Sequence, residues 1–376
     1  MKIIKRIIED SIIENTGKGK AIVIIGARQV GKTTLVNSII DKLNTKTLKL
    51  NGDEPKVRDA LNSAGSVELE SIIGNHRLVV IDEAQRIFNI GLVLKLIVDN
   101  VKDVQVIATG SSSFDLNEKI REPLTGRKYE YRLYPFSFAE MVSEGSLFEE
   151  KGKLEQRLVF GYYPEIVVKS REQVELLNNL AGSYLYRDIL NFELIRNTSL
   201  LDKLLRALAL QIGSEVSFNE IAQLIGSDNK TVEKYIDLLE KSFVIFRLNS
   251  FSRNMRNEIK KGKKIYFYDN GIRNAVIGNY NNTGSRIDMG QLWENFIVSE
   301  RIKYLNNNKI FAGSYFWRTM QQQEIDYVEE FEQKLSVYEF KYSKKAKVRF
   351  PLSFARNYTI ERQSVVTPGN IEEFCI

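Results

Sequence analysis

The sequence predicts an α/β chain. A parallel sheet built around a phosphate-binding loop comes first, then a helical stretch, a helix-turn-helix with a short β wing, and an α+β region. Three observations carry this expectation. AIVIIGARQVGKTTLVNSII, residues 21–40, sets a short apolar strand before G-x-x-x-x-G-K-[ST] and a helical pattern after it. RLVVIDEAQRI (77–87) and VQVIATGSSS (104–113) repeat the buried strand, each with polar residues at its C-terminal end. From about residue 264 the chain turns aromatic and rich in β-formers.

The first element is the phosphate cradle. Gly26, Ala27, Arg28, Gln29, Val30, Gly31, Lys32 and Thr33 complete the motif, and Thr34 follows into the helix. The glycines let the backbone curl so that its N–H groups converge on phosphate oxygens, and the helix N-terminus adds partial positive charge. Lys32 is expected to reach the β- and γ-phosphates of ATP, and Thr33 to offer its hydroxyl to Mg²⁺. In the second strand Asp82 is the candidate metal partner and Glu83 the candidate general base. In the third, the polar end from Thr109 to Ser112 is placed to report the γ-phosphate. Arg127, in PLTGRKYEYRLYPFSFAEM (123–141), is a candidate arginine finger for a neighbouring subunit's nucleotide, or a surface arginine.

GARQVGKTTL, VVIDEAQ, ATGSSS and LTGRKYEYRLYPFSFAEM, in this order, resemble a family of bacterial and archaeal AAA+-like ATPases that carry a C-terminal domain of unknown function. SYLYRDIL, TVEKYIDLLEKSFVIFRL, KIYFYDNGIRNAVIGN and GQLWENFIVSER extend the resemblance over nearly the whole chain. It implies an AAA+-like P-loop core over 1–148, a helical lid over 149–212, a winged helix over 213–255 and a nuclease-like α+β domain over 256–376. One departure stands out: the family often has a double glycine where this chain reads GYYPE, 161–165.

Leu176, Leu177, Leu180, Leu185, Ile189, Leu201, Leu204, Leu205 and Leu208 recur at spacings of three and four, which suits the implied lid. In SFNEIAQLIGSDNKTVEKYIDLLEKSFVIFRLNSF (217–251), Ser217 or Asn219 caps a first helix, Gly226 ends it, and Asp228 or Asn229 caps a second. The second helix mixes Lys230, Lys234 and Lys241 with Glu233, Asp237 and Glu240, a poor balance for phosphate contact, so a structural role or weak DNA contact is expected over sequence-specific reading. Two basic runs, 253–264 and 341–349, point to a nucleic-acid groove or to solvated turns.

In the last part GQLWENFIVSERIKYL reads as an amphipathic helix with Leu292, Phe296 and Ile297 inward and Glu294 able to point elsewhere. EIDYVEEF and LSVYEFKYS read as strands. Alternation puts Glu339 and Lys341 on one face, with Asp326 across a short turn. Glu294, Asp326, then Glu339-x-Lys341 resembles the PD-(D/E)xK nuclease constellation, the signature of a restriction-endonuclease-like domain. The resemblance implies that Asp326, Glu339 and Glu294 serve Mg²⁺ or Mn²⁺ and that Lys341 acts on the attacking water. The plain alternative is the wet face of an ordinary hairpin.

Composition narrows the classes. In 376 residues there is one cysteine, Cys375, and one histidine, His76. That excludes an internal disulfide, a zinc cluster and any two-histidine mechanism, and it fits a reducing compartment. Lys plus Arg is 54 against 48 for Asp plus Glu, a net charge of +6, which permits DNA as a partner without demanding it. The N-terminal stretch lacks a signal-peptide pattern and no apolar run spans a bilayer, so a cytoplasmic protein without membrane contact is expected. The expectation is an Mg-dependent ATPase that couples turnover to nucleic-acid handling or cleavage, with AAA+ kinship implying a homo-oligomer. The alternative is an ATP-driven switch for a protein partner.

Overall fold

The computed structural model describes residues 3–111, 119–120, 122–184, 197–252, 262–343 and 348–376. Ser112, Leu185, Ile189, most of the basic run 253–264 and residues 344–347 of the second run lie outside them. The chain divides into two compact units, Met1–Pro135 with Lys241–Phe243, and Phe136–Glu240 with Val244–Ile376. No helix among the described residues is long and apolar enough to cross a membrane.

The first unit is a five-stranded sheet of β1 (Ala21–Ile25), β2 (Thr47–Asn51), β3 (Leu78–Asp82), β4 (Gln105–Gly110) and β5 (Lys128–Arg132). Its order is β2-β3-β4-β1-β5, and every pairing is parallel. All five residues of β1 are buried. Such a run has no polar face to offer water, so it is stable only with both faces covered; each buried Ile or Val contributes about 1.5–3 kcal/mol. The helix Lys32–Leu43 follows the loop after β1 and buries Leu35, Val36 and Ile39. Because β4 stands between β1 and β3, Thr109 at its end is flanked by the phosphate loop and by Asp82.

The second unit begins with short helices, Phe138–Glu144 to Gln173–Asn179, followed by a longer one, Thr198–Leu210, that buries Leu201, Leu204, Leu205 and Leu208. Gly161 takes φ +73°, and a Cβ there would meet Asp269 Oδ1 at 2.1 Å. The next residue, Tyr162, donates its backbone N–H to Asp269 Oδ2 at 2.6 Å and its hydroxyl to Glu150 at 2.8 Å. One glycine therefore serves the turn, and the second position carries a buried aromatic anchor.

Helices Phe218–Ile225 and Asn229–Lys241 form the helix-turn-helix. Ser217 caps the first through Glu220 N, Gly226 ends it in the left-handed region, and Asp228 accepts from Thr231 N at the second. Asp237 and Glu240 are both engaged by Arg247 from the following strand, which accounts for two of the three acids on that helix. A seven-stranded sheet then joins β6 (Glu215–Val216), β7 (Ile245–Ser250), β8 (Lys263–Phe267), β9 (Gly313–Arg318), β10 (Glu324–Phe331), β11 (Lys334–Phe340) and β12 (Ile360–Val366), in the order β12-β11-β10-β9-β7-β8-β6. The expected boundary at 255/256 falls inside this sheet, because β7 pairs directly with β9 through Asn249↔Tyr315 and Ser250↔Phe316.

The helix Met289–Asn307 departs from the amphipathic expectation. It buries residues all round, from Leu292, Trp293 and Asn295 to Glu300, Lys303 and Leu305. Its charges are matched inside the protein: Lys303 and Glu300 pair at 2.7 Å, and Glu300 also accepts from Phe138 N at 2.7 Å. A helix enclosed on all sides keeps charged residues only where such partners exist.

Candidate functional site

In the first unit, the loop is built from both ends. Gly26 lies so close to Leu133 O that a Cβ would sit at 2.1 Å, and Gly31 takes φ +94°. Gln29 also occupies the left-handed region, at φ +60°. Lys32 folds its ammonium onto the loop's own carbonyls, Gly26 O and Ala27 O, at 2.8 Å each. Arg6 braces the loop from the N-terminal segment, with Nη1 donating to Val30 O at 2.8 Å and Nη2 to Tyr134 O at 2.6 Å.

Asp82 is the meeting point. Thr33 donates to its Oδ2 at 3.2 Å, Thr109 donates to its Oδ1, and Glu83 N reaches Oδ1 at 3.0 Å. Thr33, Asp82 and Thr109 line a cavity of about 200 Å³, together with Lys49, Asn51 and Glu54. Oxygen donors from a hydroxyl and a carboxylate suit a hard cation such as Mg²⁺. Glu83 takes φ +48°, and its Oε2 accepts from Gln85 Nε2 at 2.5 Å. Thr34 is exposed on the helix's first turn, and Arg28 is half-buried in the loop.

Arg127 is not brought to this cavity. It precedes β5, which runs parallel to β1, so it lies at the edge where β1 begins, and its carbonyl accepts from Ala21 N at 2.9 Å. The five residues of β1 separate that edge from the loop, about 17 Å at the usual strand rise. Its guanidinium pairs with Asp99 at 2.8 Å.

In the second unit, Asp326, Glu339 and Lys341 come together as alternation requires. Lys341 Nζ lies 2.9 Å from Glu339 Oε2 and 3.4 Å from Asp326 Oδ2, and Asp326 Oδ2 also accepts from Phe340 N at 2.8 Å. A register shift between Ile325 and Val328 against β9 brackets Asp326, a bulge of the kind that re-aims a side chain. The wet-face alternative fails, since Glu339 is 8% exposed and its face continues into the core of Leu335, Val337, Trp317 and Phe354. Burial first, then the neighbouring Asp326, push the Glu339 carboxyl up to about 7.

Glu294 takes a different partner set. Tyr266 donates to it at 2.7 Å and Lys264 at 3.0 Å, and Lys264 also pairs with Glu324 at 2.5 Å. Burial raises the Glu294 carboxyl above its usual range, with Lys264 opposing. Among the described residues no three His, Cys, Asp or Glu side chains close on one point as a metal cage. Asp326 and Glu339 therefore offer two oxygen donors beside Lys341, while Glu294 is held by Lys264 and Tyr266 and is pushed up further by the charge of Asp326.

Four residues went unassigned from the sequence. Arg6 lies outside the motif, and Gln85 sits inside VVIDEAQ with nothing in its type to mark a role. Lys264 reads as the end of a basic run, yet it is 1% exposed; the following KIYFY strand was the available signal, because its alternation carries Lys264 and Tyr266 on one face. Gly52 shows its role only in space, where a Cβ would meet Glu83 O at 2.4 Å.

Comparison with known proteins covers most of the chain in three parts. Residues 18–142 match the model described as AAA domain, 151–283 the Domain of unknown function (DUF8612), and 289–374 the Domain of unknown function (DUF4143). An uncharacterised protein of Methanocaldococcus jannaschii is 27% identical over 335 residues, covering 82% of this chain and 72% of that protein. An uncharacterised protein of Mycobacterium tuberculosis is 26% identical over 321 residues, covering 83% and 68%. One from Haemophilus influenzae is 26% identical over 187 residues, and the match spans 47% of this chain and 46% of that protein. Among solved structures, Aeropyrum pernix ORC1 in complex with DNA aligns with a TM-score of 0.33 at 13% identity, covering 72% of this chain and 91% of that one. The Thermotoga maritima RuvB Holliday junction branch migration motor aligns at 0.35 and 14%, covering 70% and 92%. The complete phosphate-loop motif, the parallel sheet that presents it and the family match agree: residues 18–142 carry an AAA-type P-loop domain.

Proposed function

We propose that the chain binds ATP with Mg²⁺ and hydrolyses it in the first unit. The observation that carries this reading is the convergence of Thr33 and Thr109 on Asp82 at the wall of one cavity. The loop amides and Lys32 would hold the phosphates, and Thr33 and Asp82 would hold a metal ion, whose chemistry when bound is to neutralise phosphate charge. Glu83 takes a proton from water as the water oxygen bonds to the γ-phosphorus and the bond to the bridging oxygen breaks, releasing ADP and phosphate. The test is phosphate release by the purified chain beside Lys32→Ala and Glu83→Gln. Loss in both, with nucleotide binding kept in Glu83→Gln, supports the reading; turnover that survives both substitutions refutes it.

The reading of the second unit is that nucleotide turnover is coupled to nucleic-acid handling or metal-dependent cleavage of DNA. The helix-turn-helix with β6, β7 and β8 is read as a winged helix, and the hairpin as a nuclease-like site in which Asp326 and Glu339 hold Mg²⁺ or Mn²⁺ beside Lys341. The pairing of half-buried Asp326 with buried Glu339 supports it. A second reading is favoured by a separate observation: the ammonium of Lys341 already balances both carboxylates, and Glu294 is held by Lys264. In that reading the hairpin is an inert platform, and the chain is an ATP-driven switch for a protein partner. Cleavage of labelled DNA and RNA with Mn²⁺, beside Glu339→Ala, separates the two. Assembly into a homo-oligomer, with Arg127 reaching a neighbouring copy's nucleotide, belongs to the same proposal, as does a cytoplasmic location.

A further inference from the structure

Glu83 is half-buried and stands outside the lining of the cavity that Thr33, Asp82 and Thr109 share. Among the described residues its carboxylate is held by Gln85, whose Nε2 donates to Glu83 Oε2 at 2.5 Å. The same nitrogen donates to Ser111 Oγ at 3.0 Å. Gln85 is 7% exposed, and Ser111, just past the end of β4, is 2% exposed. The Gln85 backbone carbonyl is fixed in turn by Lys119 Nζ at 2.7 Å. Among the described residues the buried Gln85 Oε1 has no hydrogen-bond partner. An amide placed this way is not there to satisfy itself. Its two donor hydrogens join the carboxylate that follows β3 to the end of the strand that carries Thr109.

We propose that Gln85 is a positioning residue for ATP hydrolysis. It holds Oε2 of Glu83, leaving Oε1 to take the proton of the attacking water, and it ties the orientation of that base to the conformation of the β4 end through Ser111. This rests on the reading of Glu83 as the general base. A base with one oxygen anchored has fewer orientations to lose on reaching the transition state, so the anchor acts on kcat and leaves nucleotide binding alone.

The experiment is steady-state ATP hydrolysis by the full chain, with binding of a non-hydrolysable ATP analogue and thermal melting as controls for folding. Gln85→Ala is expected to lower kcat about tenfold, a fraction of the usual contribution of a general base, with KM within about twofold. Gln85→Glu keeps the shape and places a second carboxylate against Glu83; it is expected to lower kcat at least as far, which lost packing does not explain. Ser111→Ala is expected to have a smaller effect that does not add to that of Gln85→Ala. In a Glu83→Gln background, Gln85→Ala is expected to change nothing further. If Glu83→Gln itself leaves turnover intact, the general-base reading fails. If Glu83→Gln abolishes turnover while both Gln85 variants keep the parental kcat, or raise KM alone, the base stands and the positioning role is overturned.

Discussion

Asp326 and Glu339 press two carboxylates together on one buried face, each within reach of the same ammonium, Lys341, at 3.4 and 2.9 Å. One proton or one cation relieves that arrangement. Because burial and Asp326 push Glu339 from 4.5 up to about 7, the folded chain holds a proton there that the unfolded chain has already lost. The associated stability is fully present below pH 4.5 and is lost as pH rises through about 7, on the order of 3 kcal/mol across the window. Denaturation of the chain at pH 5 and pH 8 is expected to show this loss, and Glu339→Gln is expected to remove most of it and to raise the melting temperature at pH 8. A pH dependence identical in the variant rules the pair out as its source.

The same pair makes a prediction about metal. Two adjacent carboxylates sharing one ammonium are oxygen donors, so Mn²⁺ or Mg²⁺ is expected to compete with the proton for them. Calorimetry near pH 7 in two buffers of different ionisation enthalpy is expected to register proton release on Mn²⁺ binding, and that release is expected to vanish in Glu339→Gln. The nucleotide loop is kept out of the measurement by comparing parent and variant under identical conditions without ATP. Equal proton release in both would remove the hairpin as a metal site.

Gly52 closes against the general-base candidate from behind. Its N–H donates to Asp82 O at 2.8 Å, its carbonyl accepts from Arg58 at 2.9 Å, and a Cβ would stand 2.4 Å from Glu83 O. Backbone cannot yield to that overlap as a flexible side chain does, and Glu83 already occupies the left-handed region. Gly52→Ala is expected to cost about 1–3 kcal/mol of stability, the usual range for overpacking, and to lower kcat for ATP more than it raises KM. Arg58→Ala, which only loosens the same turn, is expected to do less.

Arg6 offers a counterpart on the binding side. Its guanidinium spans Val30 O and Tyr134 O, fixing the middle of the phosphate loop to the segment after β5. Arg6→Ala is expected to weaken affinity for a non-hydrolysable ATP analogue several-fold, while Arg6→Lys, with one point charge for two acceptors, recovers only part of it. An unchanged affinity in Arg6→Ala would show that the loop holds its shape without the brace.

How much of this was legible in the sequence depended on how far each signal reached along the chain. The loop, β1, β3 and β4 were legible because a parallel strand buried on both faces is an unbroken apolar run, and the loop chemistry sits next to it. Glu339 and Lys341 were legible as neighbours because strand alternation is local. The place of Arg127 was not legible because nothing local says at which end of the sheet a strand begins; only the parallel pairing of β5 with β1 does. The central helix was misread as amphipathic because Glu294, Glu300 and Lys303 look like solvent residues until their partners, Lys264, Phe138 N and each other, are in place. Gln85, Arg6 and Gly52 act through contacts with residues distant in sequence or through backbone shape, and neither leaves a pattern.

The buried network around Tyr162 tests whether such charges hold the second unit together or only specify it. Arg157 donates to Glu150 through Nε at 2.7 Å and Nη2 at 3.2 Å, and Tyr162 adds its hydroxyl at 2.8 Å. Arg157 is 4% exposed and Glu150 2%. Removing one partner strands the other, and Arg157→Met is expected to cost about 3–5 kcal/mol for that reason. Replacing both removes the stranded charge, so Glu150→Met with Arg157→Met is expected to cost less than the single change. Chemical denaturation of the two variants decides it. A double variant less stable than the parent would mean that the pair contributes net stability beyond its own desolvation. A double variant at least as stable as the parent would mean that the pair is kept for the geometry it imposes on Tyr162, and through it on the turn at Gly161.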